Sequence, residues 1–168
     1  MKSRYEVIKS SPLFSGLDEE AVKKIEKHFV EKIFSIGDNI VTDGEKGSSM
    51  YLLKSGSVVV IKKLTMLDDH QLDVKDKALV HLSADDNAFF GEMVICSGKD
   101  ARSATVRAET DCVILEIDAE SLRSALDSSA QSAAVFYRNM SEILTERLKR
   151  ANGDVLKLTT ALSLALDE

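Results

Sequence analysis

The amino-acid sequence predicts a mainly β fold: a small antiparallel barrel of the jelly-roll, double-stranded β-helix kind, with an N-terminal helix and a long C-terminal helix. Three observations predict it. From about Val30 to Ile117, short β-branched or aromatic segments are punctuated by Gly37, Gly44, Gly47 and Gly56, and glycines so spaced suit tight turns between successive strands. Before that stretch Val22, Ile25 and Phe29 recur at helical spacing. After Asp118 the pattern is helical again, without a proline.

Composition bounds the class. With 168 residues, 44% of them apolar and 30% charged, the chain can bury a real core without staples. Lys plus Arg number 22 against 28 Asp plus Glu, a net charge of −6. Holding nucleic acid by bulk charge is therefore excluded, since counterion release needs clustered basic residues. Cys96 and Cys112 are too few for a disulfide framework or a zinc site and are expected as reduced core residues. The N-terminal Met1-Lys2-Ser3-Arg4-Tyr5-Glu6 lacks the apolar run of a signal peptide. The run Val58–Ile61 is too short to span a bilayer. A cytoplasmic protein without membrane contact is the expectation.

The elements follow in order. Asp18 caps a short amphipathic helix beginning at Glu19. Strands are expected at Glu31–Phe34, Asn39–Thr42, Ser49–Leu53, Ser57–Lys63, Ala78–Leu82, Ala104–Ala108 and Asp111–Ile117, enough for a small barrel. The polar stretch Leu64–Lys77 reads as a loop or the end of a long hairpin. Ala119–Asp127 makes one helix, and a longer one runs from about Ser129 toward Leu166. In it Leu144, Leu148, Ala151, Val155, Leu158, Leu162 and Ala165 alternate spacings of four and three, the stripe of a helix paired with another. A homodimer through this helix is expected.

The stretch from Phe89 to Ala108 carries the chemistry. Gly91 permits close backbone approach, and Glu92–Cys96 can form one helical turn with free N–H groups at its start. Ten residues after Glu92 come Arg102 and the hydroxyl of Ser103. An arginine fork, N–H groups and a hydroxyl suit a phosphate. The Glu92 carboxylate would repel that phosphate and better accepts a sugar hydroxyl of the same ligand. Read as isolated residues, Glu92 and Arg102 fit a surface ion pair better; the surrounding pattern reverses that preference.

This stretch resembles the phosphate-binding cassette of cyclic nucleotide-binding domains: Phe-Gly-Glu, a short helix, then Arg-(Ala/Ser/Thr)-Ala-Thr-Val. Phe34-Ser-Ile-Gly37, Gly44-Glu45, Gly47-Ser48, Met50-Tyr51 and Lys54-Ser-Gly56-Ser-Val58 follow the family's early strands in register, and Leu13-Phe14-Ser15-Gly16-Leu17 its first segment. The last helix resembles that of catabolite activator-type (Crp/Fnr) regulators. The resemblance implies a nucleotide-binding domain over residues 12–126 and a dimerisation or lid helix over 129–166. It implies a ribose 2′-hydroxyl bond for Glu92, an ion pair with the cyclic phosphate for Arg102, backbone contacts at Gly91 and Met93, and a hydroxyl contact from Ser103. The apolar wall would come from Val58, Val60, Val80 and Leu82, which are equally expected as core. Asn152 falls where bacterial regulators place a polar base contact, its amide suited to a purine edge; otherwise it is an exposed helix asparagine.

The turn before Phe-Gly-Glu departs from the family's Gly-x-Phe, reading Asp85-Asp86-Asn87-Ala88-Phe89, with Asn87 expected in the left-handed conformation. No helix-turn-helix follows the long helix, so no direct DNA binding is expected of this chain. The function expected is a non-enzymatic sensor of cAMP, with cGMP as second choice and no cofactor, coupling ligand to movement of the last helix. The alternatives are a ligand-free interaction scaffold and the effector-domain fragment of a transcription regulator. A cupin-like metal site is disfavoured, because His28, His70 and His81 form no His-x-His set.

Overall fold

The structure is a computed structural model that describes residues 2–68, 71–97 and 100–166. Helix α1 (Arg4–Ser10) opens the chain, and α2 (Glu19–Glu26) follows after a 3-10 turn at Pro12–Phe14. The Ser3 hydroxyl accepts from Glu6 N at 3.2 Å while the Glu6 carboxylate accepts from Ser3 N at 2.7 Å, a reciprocal cap that starts α1. Asp18 caps α2 as expected, accepting from Ala21 N at 2.7 Å.

Among the described residues ten strands follow: β1 (Val30–Phe34), β2 (Asn39–Val41), β3 (Lys46–Gly47), β4 (Ser49–Ser55), β5 (Ser57–Asp68), β6 (Gln71–Ser83), β7 (Phe89–Phe90), β8 (Asp100–Ala101), β9 (Thr105–Ala108) and β10 (Cys112–Asp118). Helix α3 (Met93–Ser97) lies between β7 and β8, while α4 (Ala119–Asp127) and α5 (Ala130–Leu166) close the chain. One sheet has the order β1-β10-β4-β7, the second β2-β9-β5-β6, and β3 pairs with β8 apart from both. All pairings are antiparallel. The expected jelly roll with flanking helices is what the chain forms.

The period-2 alternation of strands explains two cores. Along β4, Tyr51 and Leu53 face the second sheet and join Val58, Phe90, Val106 and Ile114. Met50 and Leu52 face the other way, packing with Leu115 and Ile117 against Phe14, Ile25, Leu122, Phe136 and Met140. The first third of α5 is thereby part of the domain core, whereas Leu148, Val155, Leu158 and Leu162 are each 60% exposed or more.

The differences from the sequence reading are local. Of the two readings of Leu64–Lys77, the hairpin holds: it is the distal part of the β5–β6 pair, with residues 69–70 outside the described ones. The two-residue strands β3, β7 and β8, and helix α1, were not expected. β6 carries a bulge: Val60 pairs with Val80 but Ile61 with Ala78, leaving Leu79 over. Cys112 is buried in the core, but Cys96 is exposed on α3, and both are free thiols. His70 lies outside the described residues; His28 follows α2 and His81 on β6 meets Glu109 at 2.8 Å. Among the described residues no helix is long and apolar enough to cross a membrane, and no cluster of His, Cys, Asp or Glu could hold a metal.

Candidate ligand-binding site

Two backbone features start the cradle. Asn87 has φ of 51°, the left-handed conformation expected of it, and closes the 3-10 turn Ala84–Asp86. Gly91 has φ of +75°, and a Cβ there would sit 3.0 Å from Ser49 O and 3.1 Å from Arg102 Nη1. The dihedral favours glycine, and the space beside Ser49 O is tight for any Cβ. Past it the chain turns Glu92 inward, and Ile95 N donates to Glu92 O at 3.0 Å, winding α3 one residue later than the expected 92–96.

Glu92 is 4% exposed. Its Oε1 accepts from Arg147 Nη1 of α5 at 2.5 Å; its Oε2 has no partner among the described residues. The Arg147 guanidinium also lies over the Phe89 ring, 4.8 Å from its centroid, and reaches Phe89 O at 3.5 Å. A buried carboxylate needs such compensation, and here a different element supplies it.

Arg102 is held on every side. Its N–H donates to Glu45 O and its carbonyl accepts from Gly44 N, both at 2.9 Å. Its Nη2 donates to Ser49 O at 2.8 Å. The guanidinium passes so close to Gly47 that a Cβ there would lie 2.5 Å from Nε, and it sits 5.7 Å from the centroid of the Tyr51 ring. Burial pushes the Tyr51 hydroxyl above the ordinary phenol value, with the Glu116 carboxylate adding to the shift. Nε and Nη1 of Arg102 keep no protein acceptor among the described residues. A half-buried, pre-positioned fork with two free donors suits an anion. Ser103 is exposed beside it, its carbonyl accepting from Lys62 Nζ at 2.9 Å.

The family model for the cyclic nucleotide-binding domain matches residues 31–129, from β1 to the end of α4. The chain belongs to the cyclic nucleotide-binding domain family. Domains of this family bind and regulate rather than catalyse. The chain is 28% identical over 144 residues to the cAMP-dependent protein kinase regulatory subunit of Yarrowia lipolytica, covering 85% of this chain and 34% of that protein. It thus spans about a third of that relative's length. The structure of Thermus thermophilus Catabolite Activator Protein matches with a TM-score of 0.71 and 26% identity, over 89% of this chain and 63% of that one. The cAMP-bound PfPKA-R structure matches with a TM-score of 0.58 and 26% identity, over 73% and 40% of the two chains.

In this cyclic nucleotide-binding domain, Gly91, Glu92, Arg102 and Ser103 come together around one cradle, and Met93 opens α3 with 60% of its surface exposed. Of the expected wall, Val58 is wholly buried core, whereas its neighbours stay more open: Val60 and Leu82 are half-buried and Val80 is 45% exposed. Val60 and Val80 are cross-strand partners on one face. Asn152 is not brought to the cradle by its own chain. It is exposed, makes no hydrogen bond among the described residues, and lies about 140° around the helix from Arg147. Sequence reasoning missed Arg147 and Lys62. The bonds of Lys62 to Ser103 and of Arg147 to Glu92 span 41 and 55 residues, so no local spacing could reveal them.

Proposed function

We propose that this domain is a regulatory cAMP sensor, with cGMP as the second candidate, in which occupancy of the cradle is read out through α5. The observation that supports it most directly is the division of the Glu92 carboxylate. One oxygen is tied to Arg147 of α5 while the other has no partner among the described residues, which lets a ribose hydroxyl and the helix share one group. In this reading the cyclic phosphate takes Nε and Nη1 of Arg102 together with the Ser103 hydroxyl, Gly91 and Met93 offer backbone contacts, and Val60 and Val80 flank the base. The ligand shifts the docking of α5 only by its differential affinity for the two positions. Residues 12–126 are then the binding unit and 129–166 the lever.

The stripe on α5, half-buried against the domain core at Leu144 and exposed from Leu148 onward, fits a second copy of the chain. Leu144, Leu148, Ala151, Val155, Leu158, Leu162 and Ala165 supply both seam positions of a parallel pair. Arg147 then flanks the seam, and in such a pair the flanking position opposite it lies five residues on. That position is Asn152 of the second copy, which would bring an amide to the base where the chain's own Asn152 cannot.

The 26% identity to Catabolite Activator Protein favours one other context, that of an effector domain of a transcription regulator; DNA contact is not assigned to these residues. The test is isothermal titration with cAMP and cGMP on the nucleotide-stripped protein and on Arg102→Ala. Micromolar or tighter binding, about 8 kcal/mol, lost in the variant, is the expected result. No heat with either nucleotide would overturn the proposal and leave an interaction scaffold.

A further inference from the structure

The inner face of β5 runs Val58, Val60, Lys62. The first two positions are apolar, and the third places an ammonium at the rim of the cradle. Lys62 Nζ donates to Asp43 Oδ1 at 2.9 Å and to Ser103 O at 2.9 Å. Asp43 and Gly44 form the middle of the turn Thr42–Glu45, closed by Glu45 N donating to Thr42 O at 3.2 Å with Gly44 at φ +81°. The same turn grips the Arg102 peptide through Gly44 N and Glu45 O, and Asp43 N donates to Thr105 Oγ1 at 3.1 Å. Three separate pieces of chain therefore meet at one ammonium: β5, the β2–β3 turn, and the Arg102–Thr105 lip.

Two physical consequences follow. The Ser103 peptide, next to Arg102, is fixed in place by a bond from another strand. The Asp43 carboxylate, a negative charge within the turn that grips the Arg102 peptide, is neutralised. Unpaired, it would repel any anion approaching the arginine.

We propose that Lys62 is a positioning residue for the anion cradle: it holds the Ser103 backbone against Arg102 and cancels the charge of Asp43. The proposal rests on the cyclic nucleotide reading above and adds to it a residue outside the cassette. The Lys62–Asp43 pair is half-exposed, with side-chain exposures of 43% and 23%. Its worth to fold stability is accordingly small, and its effect belongs to binding.

The experiment uses the full chain and four proteins: wild type, Lys62→Met, Lys62→Arg and the double variant Lys62→Met with Asp43→Asn. cAMP binding is followed by isothermal titration, and backbone exchange over residues 102–105 by hydrogen–deuterium exchange of the ligand-free proteins. Lys62→Met is expected to weaken cAMP binding about tenfold or more, as an unpaired like charge beside a bound anion does. Exchange at 102–105 should speed up. Lys62→Arg should restore the affinity, and the double variant should recover much of it because the repelling carboxylate is gone. If Lys62→Met fails to fold, Asp43→Asn alone carries the test, with faster exchange at 102–105 expected and unchanged exchange overturning the proposal. Unchanged affinity and exchange in Lys62→Met, with a wild type that binds, overturn this inference alone. A wild type that binds neither cAMP nor cGMP overturns the nucleotide reading, and this inference with it.

Discussion

The contact between Glu92 and Arg147 gives the sharpest energetic prediction. The two charged groups meet at 2.5 Å, and at a charge separation of about 4 Å with an effective dielectric of about 20 their attraction is about 4 kcal/mol. The Glu92 side chain is 6% exposed but that of Arg147 is 43% exposed, so water screens one partner and the net coupling should be about 2 kcal/mol. Arg147→Met keeps the stem and removes the charge. It should destabilise the protein by about 2 kcal/mol, a fall in Tm of roughly 4–8 °C for a domain of this size. The assay is urea unfolding of the wild type, Arg147→Met, Glu92→Gln and the double variant at one protein concentration, since any dimer makes stability concentration-dependent. The double-mutant cycle isolates the pair, and a coupling of about 1.5–2 kcal/mol is expected. A coupling below about 0.5 kcal/mol, the level of independent sites, would refute the reasoning: α5 would not be fastened to the cradle through Glu92.

Other expectations can be checked separately. Gly47→Ala places a Cβ 2.5 Å from Arg102 Nε and should displace the guanidinium, weakening cAMP binding by about tenfold or more, or 1.4 kcal/mol, with little loss of stability; wild-type affinity in titration would contradict this. Phe136→Ala removes a fully buried ring packed 5.3 Å from Phe14 and should cost about 3–5 kcal/mol, read as a lower urea midpoint. Burial raises the Tyr51 hydroxyl and the Cys112 thiol above their ordinary values, and the Glu116 hydrogen bond raises the Lys32 ammonium. All three favour the protonated form in the fold, so stability is full at neutral pH and lost as pH climbs above about 9; urea midpoints between pH 7 and 11 should fall, and a rise there would refute the assignment. Leu158→Asp puts a charge in the exposed α5 stripe and should give a monomer in sedimentation equilibrium, where an unchanged dimer would remove α5 from the interface.

Particular residues show how far the sequence could be read. The cap at Asp18 and the left-handed Asn87 were legible because each depends on a few neighbours. Helix α4 spans the expected Ala119–Asp127, since its start signal, the Asp118 cap, is equally local. The two-residue strands β3 and β8 were not legible, because two residues carry no periodicity and their pairing, Lys46 with Ala101, joins distant parts of the chain. Cys96 shows the same limit from the other side: an apolar neighbourhood in sequence left it expected in the core, yet the one-turn α3 turns it outward.

By itself the sequence determined the jelly roll, its flanking helices and the stretch from Phe89 to Ala108 that holds the cradle. Alternation, glycine spacing and caps are short-range constraints written into consecutive residues. Only the tertiary structure decided which groups from elsewhere in the chain meet that stretch. It set Arg102 in the slot between Gly47 and Gly91, brought Arg147 onto Glu92 from 55 residues away, and joined Lys62 to Asp43 and Ser103. These meetings follow from strand order and from where α5 packs, and a distance across the fold has no counterpart in the spacing of residues along the chain.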